Sequence, residues 1–318
     1  MIKTVFLYAG QGSQKVGMGK DLYDGYESFR EVIDSLEAAL PFSLKELMWN
    51  GPDEVLMQTQ YTQPCMAAFA AAATALIRSK GIDADAACGL SLGEYGALHA
   101  AGVWDAETYV KAVAFRGQAM ADAVEGLDTA MSAVIGLDAV KTEEACSKVR
   151  DAGIGYVAVA NYNCPGQYVI CGDKAAVEAA EQASAELGAK RCIRLKVSAP
   201  FHTKFLEPAG DKLYEYFKGI SFAKPQIPVA MNVTGTFLAD DESIQELLKE
   251  QVSNSVRFEE DAEALLKAGA EVFIEIGPGN ALSGFVKKTA AKLGLKPAIY
   301  TLQSADDVEK ITAALKQA

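Results

Sequence analysis

The sequence predicts an α/β protein in two parts: a strand–helix core with a parallel sheet, and a ferredoxin-like (βαββαβ) subdomain inserted into it. Three observations predict this. A β-branched and aromatic run at residues 4–9 ends in a glycine-rich loop, residues 129–197 carry strand and helix patterns in the order βαββαβ, and strand–loop–helix alternation resumes afterwards. The implied division is residues 1–127 with 198–318 as the core, and 128–197 as the subdomain.

Taken in order, residues 4–9 read as a buried strand that delivers the loop Gly10-Gln11-Gly12-Ser13-Gln14. Thr62-Gln63-Pro64 opens an alanine-rich helix to Lys80, with proline in its first turn and Gly81 closing it. A short strand at 85–88 turns through Gly89 to Gly93 into helical periodicity as far as Ala101. Asp105 caps a further helix that carries Arg116 and Met120 on one face. The insert comes next as strand 130–135, helix 139–151, strand 155–160, strand 167–171, helix 174–187 and strand 191–197. Core strands return at 228–233 and, as the last strand, 272–276, from which Gly277-Pro278-Gly279-Asn280 leads into a helix.

The 318 residues are half hydrophobic, enough to bury a substantial core. With 30 Lys and Arg against 42 Asp and Glu, the net charge of −12 repels phosphate backbones and anionic lipid surfaces, so neither nucleic acid nor membrane is expected as a partner. The apolar run at the amino terminus is too short for a signal peptide or a span. Six cysteines (Cys65, Cys88, Cys146, Cys164, Cys171, Cys192) form no CxxC pair, and two histidines supply too few ligands for zinc. The expectation is a reduced, cytoplasmic protein without metal or cofactor.

The chemistry is concentrated in Gly89-Leu90-Ser91-Leu92-Gly93, a G-x-S-x-G between an expected strand and an expected helix. At such a turn the serine hydroxyl projects from the carboxyl end of a sheet, and the amide of the next residue, Leu92, points to the same place from a helix amino terminus. The same residues also occur in ordinary glycine–serine turns, so the motif needs a base to complete it. Of the two histidines, His99 lies eight residues along the same helix, about 12 Å from Ser91 at ~1.5 Å per residue, which leaves His202 in Pro200-Phe201-His202. His99 reads as a helix-face residue.

The Gly10–Gln14 loop, the 89–95 turn, Arg116, Pro200-Phe201-His202, Gln251 with Val256-Arg257-Phe258 behind it, and Ile276-Gly277-Pro278-Gly279 resemble malonyl-CoA:acyl carrier protein transacylases, in order over nearly the whole chain. The resemblance implies an α/β-hydrolase-like core with a ferredoxin-like insert. It implies Ser91 as the malonylated nucleophile, His202 as its base, the Gln11 and Leu92 amides as the oxyanion hole, and the Gln251 carbonyl as the group that orients His202 in place of an acidic residue. Arg116 would grip the malonyl carboxylate, a role suited to a guanidinium's two parallel N–H donors. Gln63, Met120, Asn161 and Phe201 match acyl-pocket positions, and the bulky Phe201 resembles malonyl-selective members. Two positions depart from the pattern: Leu90 replaces a common histidine, and Ser255 a common proline.

The activity implied by the resemblance is ping-pong transfer of malonyl from malonyl-CoA to the phosphopantetheine thiol of acyl carrier protein, in fatty acid biosynthesis. A polyketide-type acyltransferase, a serine esterase or thioesterase, and a non-catalytic scaffold are the competing readings. Lys190, Arg191, Lys287 and Lys288 are the clearest cationic clusters in an acidic chain and the expected docking surface for an acidic carrier.

Overall fold

The computed structural model describes residues 2–195 and 199–315. Its strands in chain order are β1 (Thr4–Tyr8), β2 (Ala86–Gly89), β3 (Thr129–Ile135), β4 (Val157–Cys164), β5 (Gln167–Asp173), β6 (Arg191–Arg194), β7 (Ala230–Met231), β8 (Thr236–Phe237), β9 (Val272–Ile276) and β10 (Ala298–Leu302). The core sheet has the order β10-β9-β1-β2 and is parallel throughout. Alternation along β1 divides its side chains between two apolar layers: Phe6 and Tyr8 join the cluster that contains Phe69, while Val5 and Leu7 join Phe273, Leu265 and Val286 on the opposite face. A strand covered on both faces has no polar side, which is why residues 5–8 are uniformly apolar and buried.

The insert forms its own antiparallel sheet in the order β4-β5-β3-β6, the strand order of a ferredoxin-like unit. Helices Ala139–Asp151 and Lys174–Glu186 pack on one face through Val134, Val157, Ile170 and Val177. Met131, Ala133 and Val169 belong to the other face and join the main core cluster. The insert is also stitched to the core along its outer strand. A register shift between Val159 and Asn161 turns β4 outward, so that Tyr162 N donates to Val256 O (2.8 Å) and Val256 N to Ala160 O (2.9 Å).

Several expectations need correction. The alanine-rich helix begins at Thr59, so Pro64 is an interior residue and Gln63 is drawn into the buried face. The strand expected over 228–233 shortens to β7, because Pro228 has no N–H to offer and Gly235 (φ 68°) turns the chain back into β8. Only a single bridge, Ala87 to Val229, continues the core sheet there. Residues 272–276 are not the last strand: β10 comes after and pairs with β9. Its half-exposed edge position gives a weak apolar signal. The end of the strand expected over 191–197 lies outside the described residues, as do Ser198 and the 197/198 boundary. The helices Lys20–Gly25, Glu27–Glu37, Leu44–Asn50 and Asp53–Leu56, absent from the sequence reading, form a cap over the Thr59–Ser79 helix. Among the described residues no helix is long and apolar enough to cross a membrane.

Candidate active site

Strand β2 ends at Gly89, and the helix Leu92–Ala100 begins two residues after Leu90. Both glycines of the motif are required by contact. A Cβ on Gly89 would lie 2.0 Å from the Gly93 carbonyl carbon, and one on Gly93 would lie 1.9 Å from Tyr8 O. Between them Ser91 is held at φ 54°, ψ −103°. Among the described residues two non-glycine residues have positive φ, Ser91 and His202 (φ 60°). Each carries a strain of about 1–3 kcal/mol, which persists only where surrounding contacts over-determine it. That the two candidate catalytic residues share this property is independent of the motif that singled them out.

His202 is 5% exposed and is fixed through Nδ1, 2.8 Å from the carbonyl oxygen of Gln251. A neutral ring donating from Nδ1 presents Nε2 as the acceptor. Burial pulls the imidazole down to about 4, the Arg116 guanidinium adds to the shift, and the Gln251 carbonyl opposes it. The ring is therefore neutral at pH 7, the form a general base needs.

Arg116, on the helix Ala106–Ala123 capped by Asp105, is 1% exposed. Its Nη1 donates to Gln63 Oε1 (2.8 Å), and Nη2 to Ser91 Oγ (2.9 Å) and Gln251 Oε1 (3.0 Å). The guanidinium also lies over the Tyr95 ring at 5.3 Å. Every acceptor is neutral, and among the described residues no carboxylate forms an ion pair with Arg116. Glu94, an acidic neighbour, is pushed up to about 8 by burial and is protonated at pH 7. Among the described residues Ser91 Oγ takes its hydrogen bond from Arg116, and none joins it to His202.

These side chains open on a cavity of ≈ 730 Å³ between core and insert. Gln11, Gln63, Ser91, Leu92, Arg116 and His202 line it, as do Met120, Asn161 and Phe201, while Gln251 lies behind the wall. The amides of Gln11 and Leu92 have no hydrogen-bond partner among the described residues; Leu92 stands at a helix amino terminus, where the N–H groups have no intrahelical acceptor. Leu90 lines the same cavity and gives it an apolar surface where the family pattern commonly has histidine. His99 is elsewhere: Nδ1 lies 3.1 Å from Trp104 O and the ring stacks on Tyr109.

The cationic clusters come together at one edge of the insert. Lys190 N donates to Ile135 O, Arg191 pairs with Ile135 in the sheet, and Gly136 N donates to Gly166 O. Lys288 Nζ reaches Gln167 Oε1 (3.2 Å), beside that turn. Lys190, Arg191, Lys287 and Lys288 are all exposed.

Sequence reasoning misses Asn232, whose carboxamide touches the main chain at both Gly89 and Ser91. It also misses Asn163, a cavity residue whose Oδ1 has no partner. A lone asparagine in Met231-Asn232-Val233 carries no local signature.

The profile of the acyl transferase domain matches residues 5–314. A curated relative, malonyl CoA-acyl carrier protein transacylase of Bacillus subtilis, is 40% identical over 293 residues, 92% of each chain. The solved malonyl CoA-acyl carrier protein transacylase of Clostridium perfringens superposes with a TM-score of 0.93 at 40% identity, covering 99% of this chain and 98% of the other. A malonyl-transacylase solved in complex with its type II PKS acyl-carrier protein superposes at 0.92 with 34% identity, covering 99% and 100%. With a strained serine turn, a buried histidine and a guanidinium bonded to neutral acceptors in one cavity, and this likeness along nearly its whole length, the chain belongs to the acyl transferase domain family of the malonyl CoA-acyl carrier protein transacylases.

Proposed function

We propose that this chain moves malonyl from malonyl-CoA to the phosphopantetheine thiol of an acyl carrier protein through a malonyl ester on Ser91. The observation that carries the malonyl specificity is Arg116. A buried cation held only by neutral acceptors, one of them the nucleophile, is incomplete until an anion arrives. A malonyl carboxylate supplies it, taking two parallel N–H donors. In doing so it draws Nη2 away from Ser91 Oγ and leaves the hydroxyl to turn toward His202 Nε2.

His202 then takes the Ser91 proton as Oγ attacks the thioester carbon, and the oxyanion is held by the Gln11 and Leu92 amides. The C–S bond breaks, and coenzyme A leaves with the proton from His202. The carrier thiol then gives its proton to His202 and attacks the Ser91 ester; the C–Oγ bond breaks, His202 returns the proton to Ser91 Oγ, and the carrier departs as the malonyl thioester. Gln251 orients the base by its carbonyl, and Gln63, Met120, Asn161 and Phe201 shape the acyl pocket. The reaction calls for no metal or redox group, and its place is the cytoplasm, the compartment of its coenzyme A substrate. Residues 1–127 with 198–318 would form the catalytic core and 128–197 the subdomain that roofs it, a reading supported by the two separate sheets.

The names of the relatives support this reading, and the complex with a type II PKS carrier keeps a polyketide carrier beside a fatty acid carrier as the acceptor. Intact-protein mass spectrometry after brief exposure to malonyl-CoA or acetyl-CoA tests it. The expected result is a malonyl adduct on the wild type, absent from Ser91→Ala and discharged by added carrier. Free malonate accumulating without carrier and without adduct would instead identify a hydrolase, and discharge by one carrier type alone would choose between the two acceptors.

A further inference from the structure

We propose that Asn232 is the positioning residue of the nucleophile turn, its carboxamide clamped by Asp261 so as to hold Gly89 and Ser91 in the reactive conformation. This rests on Ser91 being the nucleophile. Ser91 has an unfavourable φ, and something must hold it there. Gln251 Nε2 grips the Ser91 carbonyl (2.9 Å) from the base's side of the cavity. From the other side Asn232 Oδ1 accepts from Ser91 N (2.7 Å), and Nδ2 donates to Gly89 O (2.7 Å).

An N–H at one residue and a C=O two residues earlier are what a neighbouring parallel strand would engage. The chain around 229 begins such a strand, with Ala87 N donating to Pro228 O (3.0 Å) and Ala87 bridged to Val229. At β7 the main chain turns away to pair with β8, and the Asn232 side chain supplies the missing rung beside the nucleophile.

The orientation of the carboxamide is imposed from outside. Asp261 Oδ2 lies 2.9 Å from Nδ2, and a carboxyl oxygen there selects the nitrogen, which turns Oδ1 toward Ser91 N–H. The main chain of Asn232 is pinned as well: its N–H donates to Glu94 Oε2, and its carbonyl accepts from Arg257 N (2.9 Å). Asn232, Asp261 and Glu94 are all fully buried. A core asparagine kept only for packing would need neither two buried acids nor hydrogen bonds to the main chain of both Gly89 and Ser91.

The test is single-turnover acylation of the full chain by malonyl-CoA, read by intact mass, with thermal melts and a Ser91→Ala control. Asn232→Leu preserves the shape and removes every side-chain hydrogen bond. The expected result is a maximal acylation rate down on the order of 100-fold, half-saturation for malonyl-CoA within about twofold, and a cooperative melt. Asn232→Leu that folds and acylates at the wild-type rate overturns the proposal, as does a loss confined to half-saturation.

Asn232→Asp gives a second reading if Asn232→Leu does not fold. Ionised, this aspartate has no donor for Gly89 O or Asp261; protonated, it has one. Its maximal rate relative to wild type should climb as pH falls, and a pH-independent ratio overturns the proposal. No serine adduct on the wild type would refute the nucleophile itself and the positioning role with it.

Discussion

Replacing Arg116 by alanine separates the recognition of malonyl from the chemistry of acyl transfer. In the free protein the guanidinium makes three hydrogen bonds to neutral acceptors at 2.8, 2.9 and 3.0 Å. A bound carboxylate would turn two of these into a buried, hydrogen-bonded charge pair, and truncating one partner of such a pair costs about 2–5 kcal/mol. Near the lower part of that range, about 3 kcal/mol, the loss is roughly 100-fold in kcat/KM for malonyl-CoA. Acetyl-CoA has no carboxylate to lose and should keep its rate or gain, since Ser91 Oγ is no longer occupied by Nη2. The assay is competition between the two thioesters in one mixture, with adducts on Ser91 counted by intact mass. An Arg116→Ala variant in which malonyl and acetyl acylation fall by the same factor would refute the reasoning, because the guanidinium would then be acting on the nucleophile and not on the substrate.

With His202 held near 4, the rate of Ser91 acylation should stay flat from pH 8 to about pH 5 and fall only below that, while Arg116→Ala should move the acid limb up by the smaller part of the shift, since burial, its larger cause, remains; stopped-flow acylation across pH checks both. Glu94 has a folded pKa of about 8 against an ordinary 4.5, so the folded chain binds a proton the unfolded chain releases, and stability is lost as pH rises through that window. His202 acts in the opposite sense only below 6.5, so Tm should decline between pH 6.5 and 8, and Glu94→Gln should reduce the decline without removing the part due to Asp261, whose buried carboxyl is also held well above the usual carboxylate range. Charge reversal at Lys190 and Lys288 together should raise KM for the carrier about tenfold and leave malonyl-CoA acylation unchanged, which steady-state kinetics with varied carrier would check.

The parts of the site that are legible in the sequence are those written in consecutive residues. The serine turn announces itself because both glycines that must stay bare, Gly89 against Gly93 and Gly93 against Tyr8 O, fall within five consecutive residues around Ser91. His202 emerges because the chain has one other histidine and geometry removes it. Gln251 comes only through resemblance, since a main-chain carbonyl that orients a ring leaves no mark on residue type. Asn232 and Asp261 are invisible for a related reason: they act on residue 91 from 141 residues or more away, through a fold that must exist before the contact does. The same holds for architecture. The insert is readable as βαββαβ because its elements alternate locally, whereas β10 is a strand only because β9 offers it an edge.

The pairing of β3 with β6 also bears on how the chain reaches this state. These strands are the first and last of the insert and run antiparallel, and Leu195 N donates to Met131 O (3.0 Å), so the insert begins and ends at nearly the same place. Ser91 and His202 must meet across it. If the insert is unfolded, bringing the base to the nucleophile closes a loop of about 110 residues; once its sheet has formed, the effective loop shrinks to about 50, a little over one halving that saves about 0.7 kcal/mol of closure entropy. A chain that assembles the insert first meets a smaller barrier to joining the two halves of its core.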